Sequence, residues 1–187
     1  TGNTFSVLTA SSTPYLVSSG DYNNDGKMDL LTSTSILFGL GNGTYTLGTT
    51  NQTFNVFGFN GISAYTKDFN NDGMMDVINY HTGSGFLIYI GQGTGNFNSA
   101  ITYTIPGYYD LVVNTNDFDG DAVLDLVIGS YTTIASVNIS RIDVLKGNGN
   151  GTFNSANTYT YNNTIITSLA SGDFNNDGNN DIMLGFK

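Results

Sequence analysis

The chain has 187 residues, 39 % of them hydrophobic, a formal charge of −10 and no cysteine. That is enough apolar material for one domain with a core, while the charge argues against nucleic acid and anionic membranes as partners. The lack of Cys excludes disulfides and thiolate chemistry, and no apolar run approaches the roughly 20 residues that span a bilayer. All 15 acidic residues are Asp, and 13 of them fall in four nonapeptides; Asp110 and Asp143 are the exceptions. The chain starts at Thr1 without a signal-peptide pattern, as expected of a processed mature chain or a fragment.

In chain order, "TGNTF" (1–5) reads as the tail of a motif met again later. A strand "YLVSS" (15–19) leads into "DYNNDGKMD" (21–29), then "SILFG" (35–39) and the glycine landmark "GLGNGTY" (39–45), with a further strand starting at Tyr45. The order repeats as "ISAYT" (62–66), "DFNNDGMMD" (68–76), "FLIYI" (86–90) and "GQGTGNF" (91–97), with a strand starting at Phe97. It repeats again as "LVVNT" (111–115), "DFDGDAVLD" (117–125), "RIDVLK" (141–146) and "GNGNGTF" (147–153), with a strand starting at Phe153. "ITSLA" (166–170) and "DFNNDGNND" (173–181) begin a fourth unit that stops after "DIMLGFK". These short runs, rich in β-branched and aromatic residues and bounded by Gly, Asn, Asp and Ser, read as strands.

The first Asp of each nonapeptide falls at 21, 68, 117 and 173, a spacing of 47, 49 and 56 residues that marks a repeat architecture. About four strands per unit predict an all-β, β-propeller-like array of about four blades. The repeats are placed at approximately 15–61, 62–110, 111–165, and 166–187 plus 1–14. The N-terminal strand is expected to complete the terminal blade, in its own or a neighbouring molecule. Length varies only after the acidic loop, which predicts adaptable surface loops at 80–85 and 131–140.

Calcium takes six to eight hard oxygen ligands. A tight loop with side-chain oxygens at positions 1, 3 and 5, a turn at position 6, a carbonyl at 7 and a carboxylate at 9 can wrap one ion. The expected sets are Asp21, Asn23, Asp25, the Lys27 carbonyl and Asp29, then Asp68, Asn70, Asp72, the Met74 carbonyl and Asp76. They continue with Asp117, Asp119, Asp121, the Val123 carbonyl and Asp125, then Asp173, Asn175, Asp177, the Asn179 carbonyl and Asp181. The third copy departs at its turn, where Ala122 replaces Gly and Gly120 lies two places earlier. About four Ca2+ ions are expected. An EF-hand is excluded, since its twelfth position falls on Thr32, Asn79, Ile128 and Leu184 rather than Glu.

The acidic loop between two strands, with the "GNGTF" landmark, resembles the FG-GAP/VCBS repeat, which includes the blades of integrin α-subunit propellers. The resemblance covers nearly the whole chain. It implies a propeller of four-stranded blades, calcium in the acidic loops at the positions named above, and a secreted or cell-surface setting.

Five N-x-S/T sequons, at Asn42, Asn51, Asn138, Asn150 and Asn162, are glycosylation candidates. His81 is the only histidine and has no acid partner in sequence. Neither "GxSxG" nor a phosphate loop occurs, so no enzymatic activity is expected. The functional expectation is an extracellular structural, adhesion or filament-assembly module. It would meet a protein or glycan at a surface and could self-assemble by strand exchange. The alternatives are a carbohydrate-binding propeller, or an accessory domain of a larger surface protein or polysaccharide-acting enzyme.

Overall fold

The computed structural model describes residues 16–54, 64–81, 85–105, 109–154 and 157–187. The segment 1–14 expected to complete the last blade lies outside them. Every regular element among the described residues is a strand, and the strands form four antiparallel sheets in chain order.

The first sheet holds β1 (Leu16–Gly20), β2 (Asp29–Thr32), β3 (Ile36–Gly39) and β4 (Tyr45–Leu47), each paired with the next. The second holds β5 (Ala64–Lys67), β6 (Asp76–His81), β7 (Gly85–Tyr89) and β8 (Ile101–Thr104) in the same order. The third holds β9 (Tyr109–Asn116), β10 (Asp125–Ile134), β11 (Val137–Leu145) and β12 (Asn157–Asn162). The fourth pairs β13 (Ile166–Gly172) with β14 (Asp181–Phe186). Each nonapeptide joins the first two strands of its sheet.

The core lies between sheets. Tyr22, Leu31, Ile36 and Phe54 of the first repeat meet Val77, Tyr89 and Phe97 of the second. Phe69, Ile78, Phe86, Ile88 and Ile105 meet Leu126, Ile128, Leu145 and Phe153 of the third. Val127 and Ile142 meet Ile166, with Leu169, Ile182 and Leu184 beside them. A sheet with apolar side chains on both faces must be covered on both, so the sheets stack in sequence order. The first strands also touch across sheets: the Thr66 hydroxyl donates to Ser18 Oγ at 2.7 Å and lies 3.1 Å from the Tyr22 hydroxyl.

Two expectations change. Residues 131–140 are not a loop: β10 and β11 run through them as a long hairpin, closed by Ala135 and Ser136 at φ 49° and 65°. Two positive-φ residues in a two-residue connection match the twist of the flanking strands. The strands expected to start at Phe97 and Phe153 begin later, at Ile101 and Asn157. The two aromatics form only single bridges, to Gly91 and Gly147, because their rings turn into the core. The β4 strand does start at Tyr45. Of the region 80–85, Tyr80 and His81 end β6 and Gly85 opens β7.

Candidate metal centres

Each acidic nonapeptide folds as a set of nested Asx-turns. The first Asp reaches back across the loop. Its Oδ1 accepts the N–H of position 5 at 3.1 Å in all four copies, from Asp25, Asp72, Asp121 and Asp177. Its Oδ2 accepts the N–H of position 6 at 2.8–2.9 Å, from Gly26, Gly73, Ala122 and Gly178. The carboxylates of Asp25, Asp72, Asp121 and Asp177 accept in turn from the N–H groups of Lys27, Met74, Val123 and Asn179. Asn23, Asn70 and Asn175 also turn Oδ1 toward the position-5 N–H. In these three copies side-chain oxygens from positions 1 and 3 thereby meet at one backbone N–H.

Two residues per loop lie in the left-handed region, not one. Position 6 is Gly26, Gly73, Ala122 or Gly178 at φ 65–87°, and position 4 is Asn24, Asn71, Gly120 or Asn176 at φ 59–80°. The third copy therefore keeps the fold of the others. Its glycine has moved to position 4, and Ala122 takes the strained position at φ 65°. A Cβ at Gly26, Gly73, Gly120 or Gly178 would meet nothing within 4 Å, so these glycines serve backbone conformation and not space.

The ninth residue has a second task. Asp29, Asp76 and Asp125 are buried at the start of their strands. Their Oδ2 atoms accept the N–H of position 2, from Tyr22, Phe69 and Phe118, at 2.8–2.9 Å. Their Oδ1 atoms accept the N–H of the first landmark glycine, Gly39, Gly91 and Gly147, at 2.8–2.9 Å. A Cβ on any of these glycines would stand 2.2 Å from the carbonyl oxygen of Met28, Met75 or Leu124. The acidic loop and the glycine landmark are thus one unit, closed by a bond that only glycine permits. Sequence reasoning treated them as separate landmarks; the recurrence of Gly at this point in all three landmarks was the available signal. Asp181 accepts from Phe174 N–H at 3.1 Å, with no landmark donor among the described residues.

Electrostatics differ between the copies. Burial pushes the Asp76 carboxyl up to about 6, against the pull of the Gly91 and Phe69 N–H groups and with help from the charges of Asp72 and Asp68. The Lys27 ammonium, 3.1 Å from Asp25 Oδ2, holds that carboxyl below its ordinary range. In the third loop the Lys146 ammonium bridges Asp119 and Asp121, which lowers the Asp121 carboxyl and raises the lysine. Backbone donation from Asn179 lowers Asp177. The equivalents of Lys146 are Phe38 and Ile90, one residue before their landmarks.

The donor set is all oxygen, which suits a hard cation. Ligand oxygens of Asp117, Asp119 and Asp125 lie within 4.8 Å of one another, near enough to share one ion. The other three loops place Asn at position 3, so a neutral amide oxygen stands where Asp119 adds a charge. Asp21, Asp68 and Asp173 keep a lone pair on each oxygen for a metal, whereas Asp117 Oδ1 accepts from both Gly120 and Asp121 N–H and leaves that role to Oδ2.

The sequons fall in distinct settings. Asn42 and Asn150 cap equivalent exposed landmark turns, each accepting from the N–H and hydroxyl of Thr44 or Thr152 through Oδ1. The Asn51 amide clamps both backbone groups of Phe97, donating to its carbonyl at 2.7 Å and accepting its N–H at 2.9 Å. A glycan on Asn51 would use the nitrogen that makes the first of these bonds. Asn138 lies in β11 and accepts from the Thr133 hydroxyl, and Asn162 ends β12. The His81 backbone pairs with Gly85 in the second sheet. Among the described residues no helix is long and apolar enough to cross a membrane.

A family model described as "FG-GAP-like repeat" matches the chain at residues 21–79, 68–128 and 130–184. No curated protein matches it.

Proposed function

The chain belongs to the FG-GAP-like repeat family, and from that premise we propose that it is an extracellular, non-enzymatic module whose four acidic loops are calcium clips. Asp21, Asn23, Asp25 and Asp29 would hold one ion, with their counterparts at 68–76, 117–125 and 173–181 holding three more. The ion supplies countercharge to turns of three or four carboxylates, beyond the single lysine that faces the first and the third. The chain's own residues bind and orient: N–H donors fix the position-1 and position-5 carboxylates, and in the first three copies the landmark glycine fixes position 9. The observation that carries this reading is the convergence of Asp117, Asp119 and Asp125 within 4.8 Å. The same loop fold at all four copies extends it to the rest.

Calcium at this place ties two strands of one sheet, so its role is structural. The stacked four-stranded sheets support a propeller-like array, and among the described residues the sheet of β13 and β14 has two strands where the others have four, which suits strand addition. An adhesive or filament-forming role at a cell surface fits both features. Differential scanning calorimetry with calcium and with chelator tests the calcium reading. Each ion at 100 times its Kd adds about 2.7 kcal/mol, so chelation is expected to lower the melting temperature by many degrees. An unchanged melting temperature would refute it, and titration calorimetry is expected to count about four ions.

A further inference from the structure

A cleft between the second and third sheets lies away from the acidic loops. Its volume is about 360 Å3, and Tyr103, Ile105, Arg141, Asp143, Leu145 and Phe153 line it. That lies at the lower end of the roughly 300–1,000 Å3 range of small-molecule sites. Asp143, one of the two Asp outside the nonapeptides, is 1 % exposed. Its Oδ1 accepts from Arg141 Nε at 2.8 Å and from the Thr158 hydroxyl at 2.6 Å. Its Oδ2 lies 2.7 Å from the same Nε, but the single Nε–H is directed at Oδ1, and Oδ2 receives no hydrogen bond.

The fold does not require this charge. Counting back from the landmark glycine, the equivalents of Asp143 are Ser35 in the first sheet and Leu87 in the second. A buried ion pair commonly stabilises no more than the apolar residues that could replace it. A buried carboxylate oxygen without a donor is a cost. The pair is neutral as a whole, so the cleft favours neither a cation nor an anion. Its opposite wall is rigid and aromatic. Tyr103 stacks on Phe86 with centroids 4.8 Å apart, and its hydroxyl is held by the N–H and carbonyl of Phe153. Ile105 and Leu145 add apolar surface, while Asn154 and Thr158 supply polar groups at the exposed rim.

An apolar wall, one unsatisfied acceptor, no net charge and room for a single ring together specify a ligand with a C–H face and a hydroxyl edge. We propose that this cleft binds one neutral sugar ring, a hydroxyl of which donates to Asp143 Oδ2 while the ring rests against the apolar wall. The site is independent of the calcium reading and is tested with calcium present.

The experiment is saturation-transfer difference NMR on the full chain with the methyl glycosides of glucose, galactose, mannose and N-acetylglucosamine. Glucosamine and glucuronate serve as charged counterparts. At least one neutral glycoside is expected to receive saturation and titrate at millimolar affinity or better. Asp143→Asn removes the acceptor and is expected to weaken binding about tenfold or more, the worth of a hydrogen bond to a charged group. Because that change touches a buried ion pair, Asn154→Trp is the second variant. It closes the mouth of the cleft, leaves the pair intact and is expected to abolish binding without lowering the melting temperature. The proposal is overturned if no neutral glycoside binds, if a charged sugar binds more tightly, or if neither variant weakens binding.

Discussion

At the scale of single residues, the third acidic loop shows what a pattern match conceals. Against the other copies it looks defective at its turn, yet the backbone needs two left-handed positions and the loop has moved its glycine from one to the other. Ala122 then bears the Cβ strain of positive φ, about 1–2 kcal/mol for an L-residue. Ala122→Gly is expected to stabilise the protein by about 1 kcal/mol once the entropy of the added glycine is subtracted. Equilibrium denaturation in urea checks the sign. Lys146 is the other single-residue lesson. It replaces Phe38 and Ile90, and its ammonium bridges Asp119 and Asp121 where an ion would sit. Lys146→Met is expected to raise calcium affinity at one site of the four several-fold, read by titration calorimetry. The acidic loops were legible in the sequence as turns between strands, because Asp recurs at fixed places in all four copies, and Asn and Gly in three. The lysine was not, because its distance in sequence from the loop, 27 residues to Asp119, hides the contact.

At the scale of elements, the strands flanking the nonapeptides were legible from β-branched runs and bounding turn residues. The fourth strands were misplaced in two sheets because Phe97 and Phe153 look like strand starters but serve as core plugs. The hairpin of β10 and β11 reads as a loop in the sequence because its turn is Ala-Ser, not the Asn-Gly or Asp-Gly that announces such a turn. The element that sequence reasoning could not assemble is the clip itself. It consists of an acidic loop, the strand it opens, and a landmark glycine arriving from the end of the third strand. Gly91→Ala would drive a methyl group into the Met75 carbonyl and displace the N–H that holds Asp76. Overpacking of about 1–3 kcal/mol and the loss of a charged hydrogen bond worth about 1.5–3 kcal/mol act together. Calorimetry is expected to show a lower melting temperature both with and without calcium.

At the scale of the whole molecule, stability is tied to charge. The Asp76 carboxyl is raised from 3.8 to about 6 in the folded chain, so the metal-free fold binds its proton more tightly than the unfolded chain does. The stability this contributes is complete below 3.8 and is lost as pH rises through about 6. In chelator, the melting temperature is therefore expected to fall as pH rises between those values. In calcium it is expected to rise over the same window, because the ion favours the carboxylate. The repeat architecture was legible from the spacing of the acidic loops. The stacking order was not, since the residues that make it are apolar side chains common to any β-protein.

The stacking is directional. In both interfaces where it is seen, the later landmark is seated by the earlier repeat. Gly95 lies on Phe38 and Gly151 on Ile90, while Asn51 and Tyr103 each grip both backbone groups of Phe97 and Phe153. Each unit therefore has a socket and a plug that differ from one another, and the stack has a direction. Contacts of this kind are heterologous: they extend or close into a ring, and never pair face to face about a twofold axis. A repeat added after the last, from the same chain or another, would have to arrive plug first, and one added before the first would have to offer its socket.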